Sequence, residues 1–318
     1  MAGSQGMRAA GWITLVGAVV GMAGVALFSL ALLPAGVLSR PVRAQLVTGG
    51  GAFLILGGLV FSLGLVLYLF LPLAGGGARA KREYGSHRVV AACTVFAAIL
   101  GTLGASAYFL LLPHLLGSTV GRTDMAGRVL SPEGIVVAAL SLDLALLAVV
   151  YLRIVRPGAV TFEEMGLDFH GVFGRFLMGI LFGLLLFAAS SLVEYLLGLA
   201  GVRQTQQESF QSITRASPNE FGLVLLAGAA VAPFAEEIFF RGYVFRAYLR
   251  EKGLWRAFLY SSMLFALVHL NLPAVLPIFV VGLLLSFLYY RTGSVVPGMV
   301  AHGLNNALAF TLLYLGLS

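Results

Sequence analysis

No charged residue interrupts the chain between Gly11 and Leu33, and apolar runs of similar length recur to its end. A helix needs roughly 20 consecutive apolar residues to cross about 30 Å of hydrocarbon. A soluble fold has too little interior to hide so many runs, whereas a bilayer asks for apolar surface. Only 10% of the 318 residues are charged and 59% are hydrophobic, against about 25% charged in an ordinary soluble domain. The two-residue alternation of membrane β-barrels is absent, so backbone polar groups must be satisfied within helices. The expected fold class is all-α, a polytopic transmembrane helical bundle of about eight or nine spans.

The runs place spans near residues 11–33, 46–73, 89–118, 134–155, 174–200, 220–252, 255–272, 274–290 and 295–317. The net charge of +7 resides in short loops, as the positive-inside rule expects, which speaks for lipid and against nucleic acid as a partner. The most basic loop, AGGGARAKREYGSHR at 74–88, is expected to face the cytoplasm. Strict alternation then adds Arg8, the 156–173 loop and the 246–256 turn to that side. The loops carrying Arg40 and Arg43, Arg122 and Arg128, and Arg203 and Arg215 fall opposite. The first run lacks a small-residue cleavage site and reads as an uncleaved span. Cys93 is the only cysteine, which excludes an internal disulfide and a cysteine zinc cluster and makes it a core residue. Arginine outnumbers lysine, and Ala, Gly, Leu and Val dominate. That composition fits a GC-rich bacterial genome and hence the plasma (inner) membrane of a bacterium.

The loop TFEEMGLDFHGVFGR at 161–175 has Thr161 followed three residues later by Glu164. This is a capping box that predicts a short helix lying at the membrane interface. It divides the chain into N-terminal spans of unknown role, 1–155, and a C-terminal core, 156–318. Within the earlier spans His114 and Asp143 read as hydrogen-bonding residues facing the bundle, and Glu194 is read in the same way.

The stretch APFAEEIFFRGYVF, 232–245, concentrates charge where the chain otherwise avoids it. Glu237 and Arg241 are spaced i, i+4 with the acid first, so they meet on one helix face and should pair. Glu236 lies about 100° around the helix and is left without a helical partner. An unpaired acid at membrane depth is costly when ionised, so it must be protonated, hydrated or met from another helix. FALVH sets Phe265 and His269 on one face of the next span, and HGLNN sets His302 and Asn306 on one face of the last. Counted from the turn at Gly253, Glu236 and His269 both lie about 25 Å away at 1.5 Å per residue. His302 reaches the same depth only if the long 220–252 helix projects past the bilayer.

In this order EEIFFR, FALVH and HGLNN resemble the EExxxR, FxxxH and HxxxN motifs of the CPBP intramembrane proteases, which include the CAAX prenyl endopeptidases and bacteriocin-processing or immunity proteins. The resemblance covers roughly residues 220–310, and FEEMGL is similar to the segment that often precedes that core. It implies that Glu236 activates the attacking water beside His269. His302 and Asn306 would then stabilise the oxyanion, and Glu237 and Arg241, with Phe265, would hold the site together. The implied substrate is a peptide or membrane-anchored protein entering the bilayer. No cofactor is expected, because the helix-borne HExxH zinc signature is absent. Zinc on Glu236, His269 and His302 is the alternative, since three such ligands leave one coordination position open. Two other classes use the same residues: a proton-coupled transporter, disfavoured because no inverted repeat is apparent, and a non-catalytic immunity or partner protein.

Overall fold

The structure, a computed structural model, describes residues 2–31, scattered positions between 39 and 69, and residues 84–115, 128–129, 131–202, 210–272 and 274–317. Residues 74–83 of the basic loop, with Arg40, Arg43, Arg122 and Arg203, lie outside the described residues, as do the side chains of Arg8 and His114. Helices carry the fold, and among the described residues there is no strand. Among the described residues, five helices are long and apolar enough to cross a membrane. The protein is an integral membrane protein built as an all-α bundle.

Two compact units divide the chain, Met1–Ala80 and Lys81–Ser318. In the first, helix α1 (Ala2–Ala31) lies against helical residues between 41 and 69 through glycines. A Cβ at Gly17 would strike the backbone of Phe61, and one at Gly57 would strike Gly21. Close approach through small residues is how helices associate in lipid, where burying apolar side chains gains nothing over the acyl chains.

The second unit holds α2 (His87–Leu115), α3 (Pro132–Val155) and α4 (Val172–Leu199). After these come α5 (Pro218–Lys252), α6 (Leu254–Val268), α7 (Val275–Thr292) and α8 (Val296–Tyr314). Start signals in the sequence act as written. Ser131 caps α3 ahead of Pro132, and Ser217 with Glu220 forms a reciprocal capping box ahead of α5, with Pro218 at its first position. Gly293, at φ 66°, ends α7 in the left-handed conformation that a side chain resists.

Three features set the depth and spacing of the polar residues on α5, α6 and α8. Helix α6 has 15 residues, about 22 Å, shorter than the roughly 30 Å of a hydrocarbon layer, and His269 stands at its C-terminal end. The α7–α8 turn, residues 293–295, is held by the 161–171 segment: Val295 N–H and Ser294 Oγ both donate to the Gly166 carbonyl at 3.0 Å, and Tyr289 Oη donates to the Met165 carbonyl at 2.9 Å. The predicted short interfacial helix does not form there. Thr161 and Glu164 do make both capping-box hydrogen bonds. The chain then turns inward instead, burying Met165 against Gly242. Finally, α4 packs on α8 more extensively than any other pair of helices. Gly179 and Gly183, four residues apart, admit Val300, Ala301 and Leu304 against the α4 backbone, a small-xxx-small contact.

Candidate active site

Pro233 sits within α5, where it has no N–H to give. The carbonyls that residue 233 would serve, five and four positions earlier in π or α geometry, belong to Gly228 and Ala229. The helix widens into a π turn at Leu226–Val231. Both carbonyls face α8: Gly228 O accepts from Asn306 Nδ2 at 2.8 Å, and Ala229 O lies where a Cβ on Gly303 would collide with it. A helix-breaking residue thus creates the acceptor that docks the last helix. A second π segment, Glu237–Phe245, follows after five α-helical residues, Ala232–Glu236. Such insertions recur at functional sites because they re-aim side chains within a continuous helix.

Glu236 and Glu237 mark the junction into that segment. Glu237 and Arg241 are fully buried and paired at 2.8 Å. The guanidinium also donates to the Gly282 carbonyl at 3.2 Å and lies 4.4 Å from the centre of the Phe265 ring. Gly282 allows this, since its missing side chain lets α7 close on Ser262 and Phe265 of α6. Charge pairing, a carbonyl and an aromatic face together offset the removal of the cation from water.

His302, 3% exposed, points Nδ1 at Glu237 Oε1 across 3.3 Å. That oxygen is already held by Arg241 as a carboxylate, so Nδ1 carries the proton and donates. Nε2 then faces Glu236 Oε2 at 3.7 Å. His269, with 29% of its side chain exposed, donates from Nδ1 to its own helix at Phe265 O, 2.7 Å away. That bond leaves a lone pair on Nε2, which faces Glu236 Oε1 at 4.0 Å. Glu236, 5% exposed, is therefore flanked by two imidazoles, one at each oxygen. Phe265 touches both rings edge-on, with centroids 5.0 Å and 5.7 Å away. Asn306 stands on α8 one turn beyond His302, with Asn305 donating to its Oδ1 at 3.0 Å.

Each of the seven residues that the motifs single out lies in this neighbourhood. Sequence reasoning did not foresee the part played by Pro233 and the Gly228 carbonyl; a proline in a long apolar helix was the available signal. Gly298 was also missed, although a Cβ there would come within 2.7 Å of Glu237 Oε2. Asp143, expected to be a hydrogen-bonding residue, does face the bundle at 1% exposure, but its Oδ2 has no hydrogen-bond partner among the described residues. It lies on α3, which packs against Ala232–Glu236.

Glu236, His269 and His302 open onto a cavity of about 1360 Å³ that reaches α2, α3, α4 and the α6–α7 loop. Its wall is mostly apolar. Zinc would need nitrogen and oxygen donors about 2.0–2.2 Å from one point. The donor types here would suit it, but among the described residues no three His, Cys, Asp or Glu side chains group so as to hold a metal ion. The alternative zinc set does not fit as it stands.

Residues 218–308 match the family described as type II CAAX prenyl endopeptidase Rce1-like. A curated Bacillus subtilis (strain 168) protein, described as "Putative membrane peptidase YdiL", is 30% identical over 118 residues. That alignment covers 37% of this chain and 46% of the relative, so the chain spans less than half of that relative's length. No solved structure matches. The matched segment holds all seven residues that the motifs single out, whereas α1 to α4 lie outside it.

Proposed function

We propose that the protein is an intramembrane endopeptidase, set in a bacterial plasma membrane, whose Glu236 activates water for attack on a peptide bond. The observation that carries this reading is the flanking of one buried carboxylate by two imidazoles, at 4.0 Å and 3.7 Å, on the wall of a cavity large enough for a peptide.

Glu236 Oε1 and His269 Nε2 both present lone pairs, 4.0 Å apart. Two acceptors at that separation receive both protons of one water molecule, which orients its oxygen lone pair towards the cavity. As that oxygen bonds to the scissile carbonyl carbon, Glu236 takes a proton as general base. The carbonyl oxygen becomes an oxyanion, to which the second Nδ2–H of Asn306 donates, joined by His302 Nε2–H once that ring has taken a second proton from the cavity water. Collapse breaks the C–N bond, and the proton on Glu236 passes to the leaving nitrogen. The products are one carboxylic acid and one amine. Glu237 and Arg241 position His302, and Phe265 fixes both the His269 tautomer, through its carbonyl, and the packing of the two rings.

The test is product mapping. Protein reconstituted in proteoliposomes and given a diverse peptide mixture should yield fragment pairs whose masses sum to a parent peptide plus water. The yield should be undiminished after dialysis against a strong chelator. Absence of any such pair would remove the protease reading. Loss of activity on chelation, restored by zinc alone, would replace the glutamate mechanism with a metal one.

A further inference from the structure

The cavity wall contains, among the described residues, two carboxylates and neither lysine nor arginine. One is Glu236. The other is Glu194 on α4, half-buried, with neither a hydrogen-bond nor an ion-pair partner among the described residues. It is tied into the site's framework by position. Ser190 lies one turn earlier on the same helix face, about 6 Å along the axis, and its hydroxyl approaches Asn305 Oδ1 at 3.4 Å. Asn305 in turn donates to Asn306. Glu194 is also five residues from the end of α4 at Leu199, about 8 Å, so it stands near one end of its helix, whereas Glu236 lies midway along α5.

A carboxylate held in mostly apolar surroundings attracts a cation more strongly than one in water. It also rejects a like charge, which is the more effective half of specificity. A peptide lying along the cavity from Glu194 to Glu236 would place one of its side chains against Glu194. We propose that Glu194 is a specificity residue that selects peptides bearing a basic side chain, lysine or arginine, on the Glu194 side of the scissile bond. Long basic side chains suit this position, because the stem packs on apolar wall while the head reaches the carboxylate. The proposal rests on the protease reading for its consequence but not for its binding test.

Peptides of one apolar sequence carrying lysine, norleucine or glutamate at each successive position supply the experiment. At one position wild type should cleave the lysine peptide at least about tenfold faster than the norleucine peptide, mostly through KM, with the glutamate peptide slowest. Glu194→Gln should bring lysine down to the norleucine level, and Glu194→Lys should invert the order in favour of glutamate. Equal rates for lysine and norleucine at every position in wild type, or an unchanged order in both variants, would overturn the proposal. If no peptide is cleaved at all, the protease reading fails separately. Binding of the same fluorescent peptides to the Glu236→Gln protein then decides the role of Glu194: lysine preferred and lost in the Glu194→Gln background supports it, and no preference sinks it.

Discussion

Arg241 is the residue on which the site's internal order depends most. It has no water to fall back on, being fully buried, and it supplies the positive charge that neutralises buried Glu237. Removing one member of a buried pair typically costs about 3–5 kcal/mol, because the other charge is left uncompensated. Arg241→Met should therefore lower thermal stability in detergent sharply. The double change Glu237→Gln with Arg241→Met should recover much of that loss, and a thermal unfolding series of the two proteins checks both. Activity should not return with stability, since His302 would have lost the carboxylate that holds its Nδ1–H. This pair is readable from the i, i+4 spacing alone, because helix geometry forces the two side chains together. The isolation of Glu236 is readable for the same reason. The surroundings of Asp143 are not, since nothing in the local pattern of α3 says which neighbouring helix it will face.

At the scale of elements, the site is a product of three helices that do not behave as simple spans. Helix α6 is too short to cross, α5 is interrupted by π turns, and α8 approaches α5 closely enough to touch its backbone. Gly303 makes that last contact possible. Gly303→Ala would set a methyl against the Ala229 carbonyl, and overpacking of this kind costs about 1–3 kcal/mol. The expected result is a folded but less stable protein in which the Asn306–Gly228 hydrogen bond is strained and peptide cleavage falls at least about tenfold. Parallel measurement of unfolding temperature and turnover tests it, and a variant with unchanged turnover would show that the approach of α8 is not needed. Counting residues from Gly253 matches Glu236 with His269 because α5 and α6 are antiparallel about one tight turn. The same counting leaves His302 nearer its own turn, and asks the long α5 to project in order to meet it. The observed support for that turn, Gly166 beneath Ser294 and Val295, is a contact between segments far apart in the chain, which no periodicity encodes.

At the scale of the whole molecule, the 161–171 segment joins the C-terminal helices to one another from below. Gly166 is at φ 93°, and a Cβ there would lie 2.5 Å from the Gly293 carbonyl, so both conformation and space exclude a side chain. Gly166→Ala should loosen the α7–α8 turn. Limited proteolysis at residues 293–295 would be expected to accelerate while the α4 to α8 contact persists, and equal protection in both proteins would argue against the clasp. The length and apolarity of the runs make the bundle legible, because a bilayer leaves no other architecture for such a chain. They are silent on the cavity, whose walls are drawn from α2 to α8 and depend on how helices tilt and where glycines let them close. The order of the three motifs predicts a converging site, while its enclosure and the presence of Glu194 on the cavity wall arise only from packing.

The claim that a single carboxylate supplies the base is tested most directly by the turnover of Glu236→Gln in proteoliposomes, measured against wild type on a peptide that wild type cleaves. The substitution keeps the side chain's volume and hydrogen-bonding capacity and deletes only the proton acceptor. The account predicts a fall in kcat of at least about a thousandfold, within the range that positioned general bases supply together with the oriented water, with unfolding temperature and peptide affinity near wild type. Turnover within about tenfold of wild type in a well-folded Glu236→Gln protein would contradict it.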